Sequence, residues 1–501
     1  MTEIAYIAMV AFPFMSMLVF LRFGVQHGIA WTVIIGFLFL PLSPTLNLPL
    51  LPTVNRTSVP VVCALLFATL MMRGRAWKAS TSEQFLPGWL PTNKILSVFA
   101  VVAVTSSTLT ILTNRDSGST PFGFLQATEL TDIGAMTYEL LFPVLLLLLG
   151  RRFLSDENGA LIFLKVVGLM GVAYGALIVL EWRLSPMLKF WVYGIWDINW
   201  VLATRSSGFR PVVFMQSGLQ ASIFQAMASI AAIAVFRASN GGDRTLWRFI
   251  ALFCLACLPF TQSMAAIILG FGFSLVAFFG SKRQILIIVA LIAGFVFTYP
   301  VLRMAEVVPT TQMVSAARVV SDTRAGSLAF RFQSEDRYID RALIRPFFGW
   351  GQRERDMPRT ADGERAAIPD SNWSIITTQR GFVAFVAIYG LFTLPTIVLW
   401  RKRRVAPINH VVLGLSLIVC VALLDKLLNS FFTPILWIGS GALIGVAERV
   451  VLKESTEAAA ERRAALEIER SRRRGKVVIG PSAPKLQGDV RVKHSLAHKR
   501  R

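Results

Sequence analysis

Long apolar runs, broken by short polar stretches, recur from the first residues of the chain to about Ala447. They fall at roughly 4–21, 29–47, 59–72, 95–112, 134–150, 159–181, 213–236, 246–259, 262–280, 284–300, 373–400, 408–424 and 431–447. Most are long enough to cross about 30 Å of hydrocarbon as a helix. A backbone in lipid must satisfy its own hydrogen bonds, so the pattern predicts an all-α polytopic membrane protein of about 12–13 transmembrane helices. The short alternating strands of an outer-membrane barrel are missing. The layout expected is a transmembrane bundle over 1–300 (about ten spans) with an outer loop at 182–211. A large outer loop at 301–372, C-terminal spans at 373–447 and a basic tail at 448–501 follow. No internal repeat is visible.

Composition supports the membrane over the soluble domains that a length of 501 residues would otherwise suggest. Hydrophobic residues make up 54% of the chain, charged residues only 16%, and the mean hydropathy is +0.59. The N-terminal Met-Thr-Glu-Ile has no basic stretch ahead of the first apolar run, which is therefore expected to remain as a helix. Cys63, Cys254, Cys257 and Cys420 all lie in apolar runs, which argues against a disulfide framework or a metal site. Much of the net charge of +22 gathers in the tail, from Arg449 and Lys453 through Arg462, Arg463, Arg470, Arg472, Arg473 and Arg474. A basic segment there fits contact with anionic membrane lipids, and no nucleic acid partner is inferred. The tail reads as a Glu/Ala/Arg helix to about Arg474, with irregular chain after Gly475.

Basic residues also assign sides. Arg73, Arg75 and Lys78, then Arg151 and Arg152, then Arg237, Arg244 and Arg248, then Lys282 and Arg283, then Arg401, Lys402, Arg403 and Arg404 mark every second loop as cytoplasmic. The alternation puts the N-terminus outside and the tail inside. The loops 182–211 and 301–372 then lie outside. The first carries Phe190, Trp191, Tyr193, Trp196 and Trp200, suited to the membrane interface.

The second outer loop has eleven arginines (Arg303, Arg318, Arg324, Arg331, Arg337, Arg341, Arg345, Arg353, Arg355, Arg359 and Arg365) but no lysine or histidine. A guanidinium is a planar fork that binds phosphate oxygens in pairs. A face for a phosphorylated, membrane-delivered substrate is one reading; an outer domain laced by Arg–carboxylate pairs is the other. Arg205 and Arg210, in Arg-Ser-Ser-Gly-Phe-Arg-Pro, stand where lipid headgroups would meet the next span, either as ligands or as interfacial anchors. All four histidines fall on the cytoplasmic side, so an outer general base must be a carboxylate. Asp370, just before the span at Trp373, is the candidate, with helix N-capping as its alternative role. No Walker loop, GxSxG, HExxH or GxGxxG motif is present.

Three segments resemble the O-antigen ligase and O-antigen polymerase superfamily of bacterial inner-membrane glycosyltransferases. They are Glu181 with Arg205-Ser-Ser-Gly-Phe-Arg-Pro211, Arg331 with Arg345-Pro-Phe-Phe-Gly-Trp-Gly351, and Asp370-Ser-Asn-Trp373 with Gly381 eleven positions after the aspartate. The likeness covers about residues 160–400. It implies a GT-C-like membrane glycosyltransferase in the inner membrane, N-terminus periplasmic and C-terminus cytoplasmic, working without cofactor, metal or nucleotide. The implied partners are an undecaprenyl-diphosphate-linked oligosaccharide, a glycan acceptor, membrane lipids and components of polysaccharide export. Arg205, Arg210, Arg331 and Arg345 would hold the diphosphate, and Asp370 would take the acceptor's proton. The chain departs from ligases in carrying Asp370 in place of their histidine and Gln262-Ser263-Met264 in place of their Ser-Arg. The departures favour a polymerase of O-antigen, capsule or exopolysaccharide repeat units. A transporter or flippase of a lipid-linked or anionic amphiphile is the alternative.

Overall fold

The computed structural model describes residues 2–45, 53–73, 85–120, 123–198, 200–205, 208–360, 362–368, 370–403 and 408–473. Arg75, Lys78 and Arg404 of the basic loops, Ser206 and Ser207 of the arginine motif, and the tail from Arg474 onward, with its expected irregular chain, lie outside the described residues. The chain divides into two units, Met1–Val450 and Val451–Arg501.

The first unit is a helical membrane bundle. Its elements are α1 (Glu3–Phe39), α2 (Ser58–Arg73), α3 (Lys94–Leu112), α4 (Asp132–Phe153) and α5 (Glu157–Leu184). The short α6 (Leu188–Tyr193) and α7 (Trp200–Ala203) precede α8 (Gly218–Ala238), α9 (Gly241–Cys257), α10 (Met264–Phe279) and α11 (Lys282–Met304). Then come α12 (Thr310–Val320), α13 (Asp322–Ile344), α14 (Asn372–Arg401), α15 (His410–Lys426) and the start of α16 (Pro434–Arg473). Residues 451–473 of the second unit are helical. Among the described residues, nine helices are long and apolar enough to cross a membrane, and α2 and α10 are shorter apolar helices. The strands are two short hairpins, β1–β2 (Gly118–Thr120 with Gly123–Leu125) and β3–β4 (Thr204–Arg205 with Gly208–Phe209).

Helix α1 is two helical segments folded into a hairpin. A straight helix of 37 residues would be about 55 Å long, yet both its ends meet Tyr193. The Thr2 amide donates to the Tyr193 carbonyl at 3.0 Å, and the Tyr193 hydroxyl donates to the Phe39 carbonyl at 2.6 Å. The reversal is at Gly24, whose φ of 81° suits a residue without Cβ. Gly28 consequently lies against the Phe20 ring and Gly36 against the Phe12 ring.

The bundle is centred on α8, nearly all of it buried. Its alanines let neighbours come close: Gly171 faces Ala228 and Gly414 faces Ala234, with no room for a side chain at either glycine. Helix starts use the expected caps, as at Asn93, which accepts from the amides of Ile95 and Leu96, and at Ser281, which forms a reciprocal capping box with Gln284.

Contacts sort the loops onto two ends. One end holds Gln26 against Asp156, the amide of Thr92 on Glu448, the buried Arg151–Glu448 pair at 2.8 Å, and Arg237 on the carbonyls of Ala277 and Gly280. The other holds Thr2, Arg56, Tyr193, Arg210, Gln262, Arg331 and Leu428. For the loops these contacts involve, the two ends are those expected from the basic residues, as a statement of relative sides.

The expected span 373–400 is shorter than its apolar run. At Gly381 φ is 78°, and the first nine residues of α14 fold back on the rest. The Tyr389 hydroxyl therefore donates to Asn372 Oδ1 at 3.2 Å, a pair that a straight helix would hold about 25 Å apart. The segment after Arg345 fills the notch. Trp350 N donates to the Thr378 carbonyl at 2.8 Å, Gly351 N to Gln379 at 2.9 Å, and Phe382 N to Pro346 at 2.7 Å. A Cβ on Gly381 would stand 2.1 Å from the Phe347 carbonyl oxygen.

Candidate functional site

The 301–372 loop is built on α12 and α13, and α13 carries the centre of the site. Arg324, Arg331, Glu335 and Tyr338 recur at spacings of seven, four and three, which places them along one face of a 3.6-residue helix. Arg331 Nη1 donates to the Leu428 carbonyl at 3.0 Å and to Asn429 Oδ1 at 3.3 Å, while its Nε stands 3.7 Å from Asp370 Oδ2. The segment before α14 and the α15–α16 connection thus meet at one guanidinium.

Asp370 is not the helix cap. The N-cap of α14 is Ser371, which makes no side-chain cap bond and instead exchanges a hydrogen bond with Ser374 Oγ at 2.6 Å. The Asp370 carboxylate remains 36% exposed. Burial pushes its pKa above the usual aspartate value, and Arg331 pulls the other way. Beside it lies a closed network. Glu335 Oε1 accepts from Trp373 Nε1 at 3.2 Å, and its Oε2 accepts from the Tyr299 hydroxyl and Arg303 Nε, both at 3.3 Å. Burial raises the Glu335 pKa, against the pull of Arg303. The hollow between Arg331, Glu335, Tyr338, Asp370 and Ser374 has a volume of about 10 Å³, room for roughly one water. A substrate atom would meet Asp370 from its exposed side.

Arg210 completes the cluster from the other outer loop. Its Nη2 donates to the Gln262 carbonyl at 3.3 Å, and its buried Nε has no hydrogen-bond partner among the described residues. Its pKa is pushed down to about 10, by burial first and then by Arg205, Arg331 and Arg324. Those three cations are therefore its electrostatic neighbours. Among the described residues, neither Arg205 nor Arg324 has a hydrogen bond or ion pair through its side chain. Four guanidiniums thus gather with Asp370 as the carboxylate paired to one of them. Such a cluster is built to receive an anion.

Arg345 is elsewhere. It lies fourteen residues beyond Arg331, just past the end of the same helix and about 21 Å along its axis. Its guanidinium is bidentate to Asp116, at 3.2 and 2.7 Å, donates to Asn114 Oδ1 at 2.6 Å, and stacks over Trp350 at 4.4 Å. The structure pairs Arg331 with Asp370, places Arg205 and Arg331 among the cations that act on Arg210, and leaves Arg345 as an anchor of the Pro346–Gly351 segment. Most other loop arginines are likewise engaged. Arg303 holds Glu335 and Asp336, Arg353 holds Glu129 and Asp132, Arg355 holds Asp116, and Arg359 and Arg365 share Glu354. Glu181 is also structural, since its carboxylate accepts from the amides of Leu188, Val212 and Val213.

Sequence reasoning did not single out Arg324, Glu335 and Asn429. The spacing of Arg324 to Arg331 on one helix face could have marked the first; Asn429 reaches the site through a contact 98 residues long in sequence. A comparison with family models and with curated proteins finds no match for this chain.

Proposed function

We propose that the chain polymerises or ligates undecaprenyl-diphosphate-linked glycan repeat units at the periplasmic face of a bacterial inner membrane. The N-terminus would be periplasmic and the C-terminus cytoplasmic. The observation that carries this reading is the Asp370 carboxylate beside Arg331, within a cluster whose Arg205, Arg210 and Arg324 lack carboxylate partners among the described residues. In the reaction, an acceptor hydroxyl oxygen bonds to the anomeric carbon while the bond from that carbon to the lipid diphosphate breaks. The hydroxyl proton passes to Asp370, and the departing diphosphate takes the electron pair and is held by the arginines. A carboxylate with a raised pKa is a better acceptor for that proton than an ordinary aspartate. Asp370 and Gln262-Ser263-Met264, where ligases differ, favour polymerisation as part of O-antigen, capsule or exopolysaccharide synthesis.

The test is reconstitution of the full chain in proteoliposomes with undecaprenyl-diphosphate oligosaccharide. Wild type should lengthen the glycan, and Asp370→Asn and Arg210→Ala should not. Lengthening that survives both substitutions would overturn the residue assignment. Lipid scrambling without a new glycosidic bond would mark a transporter instead.

A further inference from the structure

A second charged cavity lies on the same end of the bundle, at the other side of the α15–α16 connection. Leu428 and Asn429 of that connection hold Arg331, whereas Phe432, with Pro434 at the start of α16, lines this cavity together with Arg56, Gln216 and Gln220. Arg56 is 8% exposed. Its Nη1 donates to the Phe214 carbonyl at 2.7 Å, its Nη2 donates to the Phe37 carbonyl, and its guanidinium lies over the Phe37 ring. No carboxylate pairs with it among the described residues. A desolvated cation compensated by carbonyl dipoles and a ring face, without a carboxylate, is costly, and the cost falls when an anion arrives.

The rest of the wall selects the anion. Apolar side chains from α1, α2 and α4 (Val33, Val61, Leu146) face the polar group formed by Arg56, Thr57 and Gln216. The volume is about 70 Å³, against about 10–15 Å³ for one water. That accommodates a headgroup of a few heavy atoms. We infer that this cavity binds the terminal phosphate monoester of a single-chain hydrocarbon amphiphile, with Arg56 holding the phosphate and the apolar wall taking the first carbons of the chain. The site is separate from Arg331 and Asp370 and does not depend on the reaction proposed for them.

The probe is dodecyl phosphate, binding to the purified full chain in a neutral detergent, read by displacement of a fluorescent alkyl phosphate. Wild type and Arg318→Gln, an exposed arginine outside both sites, should bind alike. Arg56→Gln should bind about tenfold or more weakly, since it removes a charge-assisted pair. Val61→Phe should lose binding as well; it fills the cavity while leaving Arg56 and its carbonyl bonds in place, so it tests the site even if Arg56→Gln folds poorly. Unchanged affinity in Val61→Phe overturns the proposal, as does an equal loss of binding in Arg318→Gln. Equal competition by dodecanol would show that phosphate is not recognised. Equal competition by inorganic phosphate would assign the site to the free ion, and by phosphatidylglycerol to bulk membrane lipid; each of these also overturns it.

Discussion

Arg331 reaches Asp370 with Nε at 3.7 Å while its Nη1 is held by the carbonyl of Leu428 at 3.0 Å. One guanidinium thereby sets the position of the carboxylate relative to the α15–α16 connection. The ion pair is long and partly exposed, so its contribution to stability is small. Its consequence is electrostatic: burial raises the proton affinity of Asp370, and Arg331 limits the rise.

A pH dependence follows. Asp370 must be ionised to accept a proton, so activity should fall on the acid side at a pH above that of an ordinary aspartate. Arg331→Gln removes the cation that lowers the Asp370 pKa, so this acid limb should move to higher pH. The sign for folding is opposite to that of a paired carboxylate. A raised folded pKa means that stability falls as pH rises between the unfolded and folded values, and Asp370→Asn removes that dependence. Rate against pH for wild type and Arg331→Gln checks the first point. A limb that stays put or moves to lower pH would remove Asp370 from the base role.

Arg210 and Arg345 should separate binding from stability. Arg345→Ala gives up the Asp116 and Asn114 bonds and the stack on Trp350. It should cost about 1–2 kcal/mol of stability and leave pyrophosphate affinity unchanged. Arg210→Ala removes a half-buried cation crowded by three others. It should leave the unfolding temperature level or higher and weaken pyrophosphate binding about tenfold. Thermal unfolding with and without pyrophosphate compares the two; a reversed pattern would exchange their roles.

What the sequence shows and what it hides divide along physical lines. Spans and relative sides were legible because hydropathy and loop charge are local, down to the break between 4–21 and 29–47 that the structure places at Gly24. The reversal at Gly381 was not, since residues 373–400 form one apolar run and hydropathy carries no direction. Asp370, Arg331 and Arg210 were legible as chemistry without their partners. Arg345 carried the same motif signal, but Asp116, the partner that occupies it, lies 229 residues earlier in the chain. Arg324 was lost among the loop arginines because its meaning depends on the face of α13 that it shares with Arg331.

Sidedness has a direct test, because the four native cysteines are buried. Arg318 and Lys282 are exposed at opposite ends of the bundle. In intact cells a membrane-impermeant maleimide should label Arg318→Cys and spare Lys282→Cys, and it should label both after lysis. The reverse pattern would invert the proposed orientation. Labelling of both in intact cells would contradict their placement on opposite sides.

Gly381 is the position where the fold should be least tolerant. Its φ of 78° is strained for any residue with a Cβ, and the added carbon would stand 2.1 Å from the Phe347 carbonyl oxygen and 2.5 Å from Phe348 N. Neither atom is a flexible side-chain end; both belong to the backbone that pairs with residues 378–383. Gly381→Ala should therefore cost about 3 kcal/mol or more and loosen the Asn372–Arg380 segment that follows Asp370. Gly272, in α10, has no atom within 4 Å of its would-be Cβ. Gly272→Ala should be neutral or stabilising by up to about 1 kcal/mol, because it only improves helix propensity. Unfolding temperatures of the two variants in the same detergent provide the comparison. Equal, small effects would mean that Gly381 is not the hinge on which the Asp370 segment turns back.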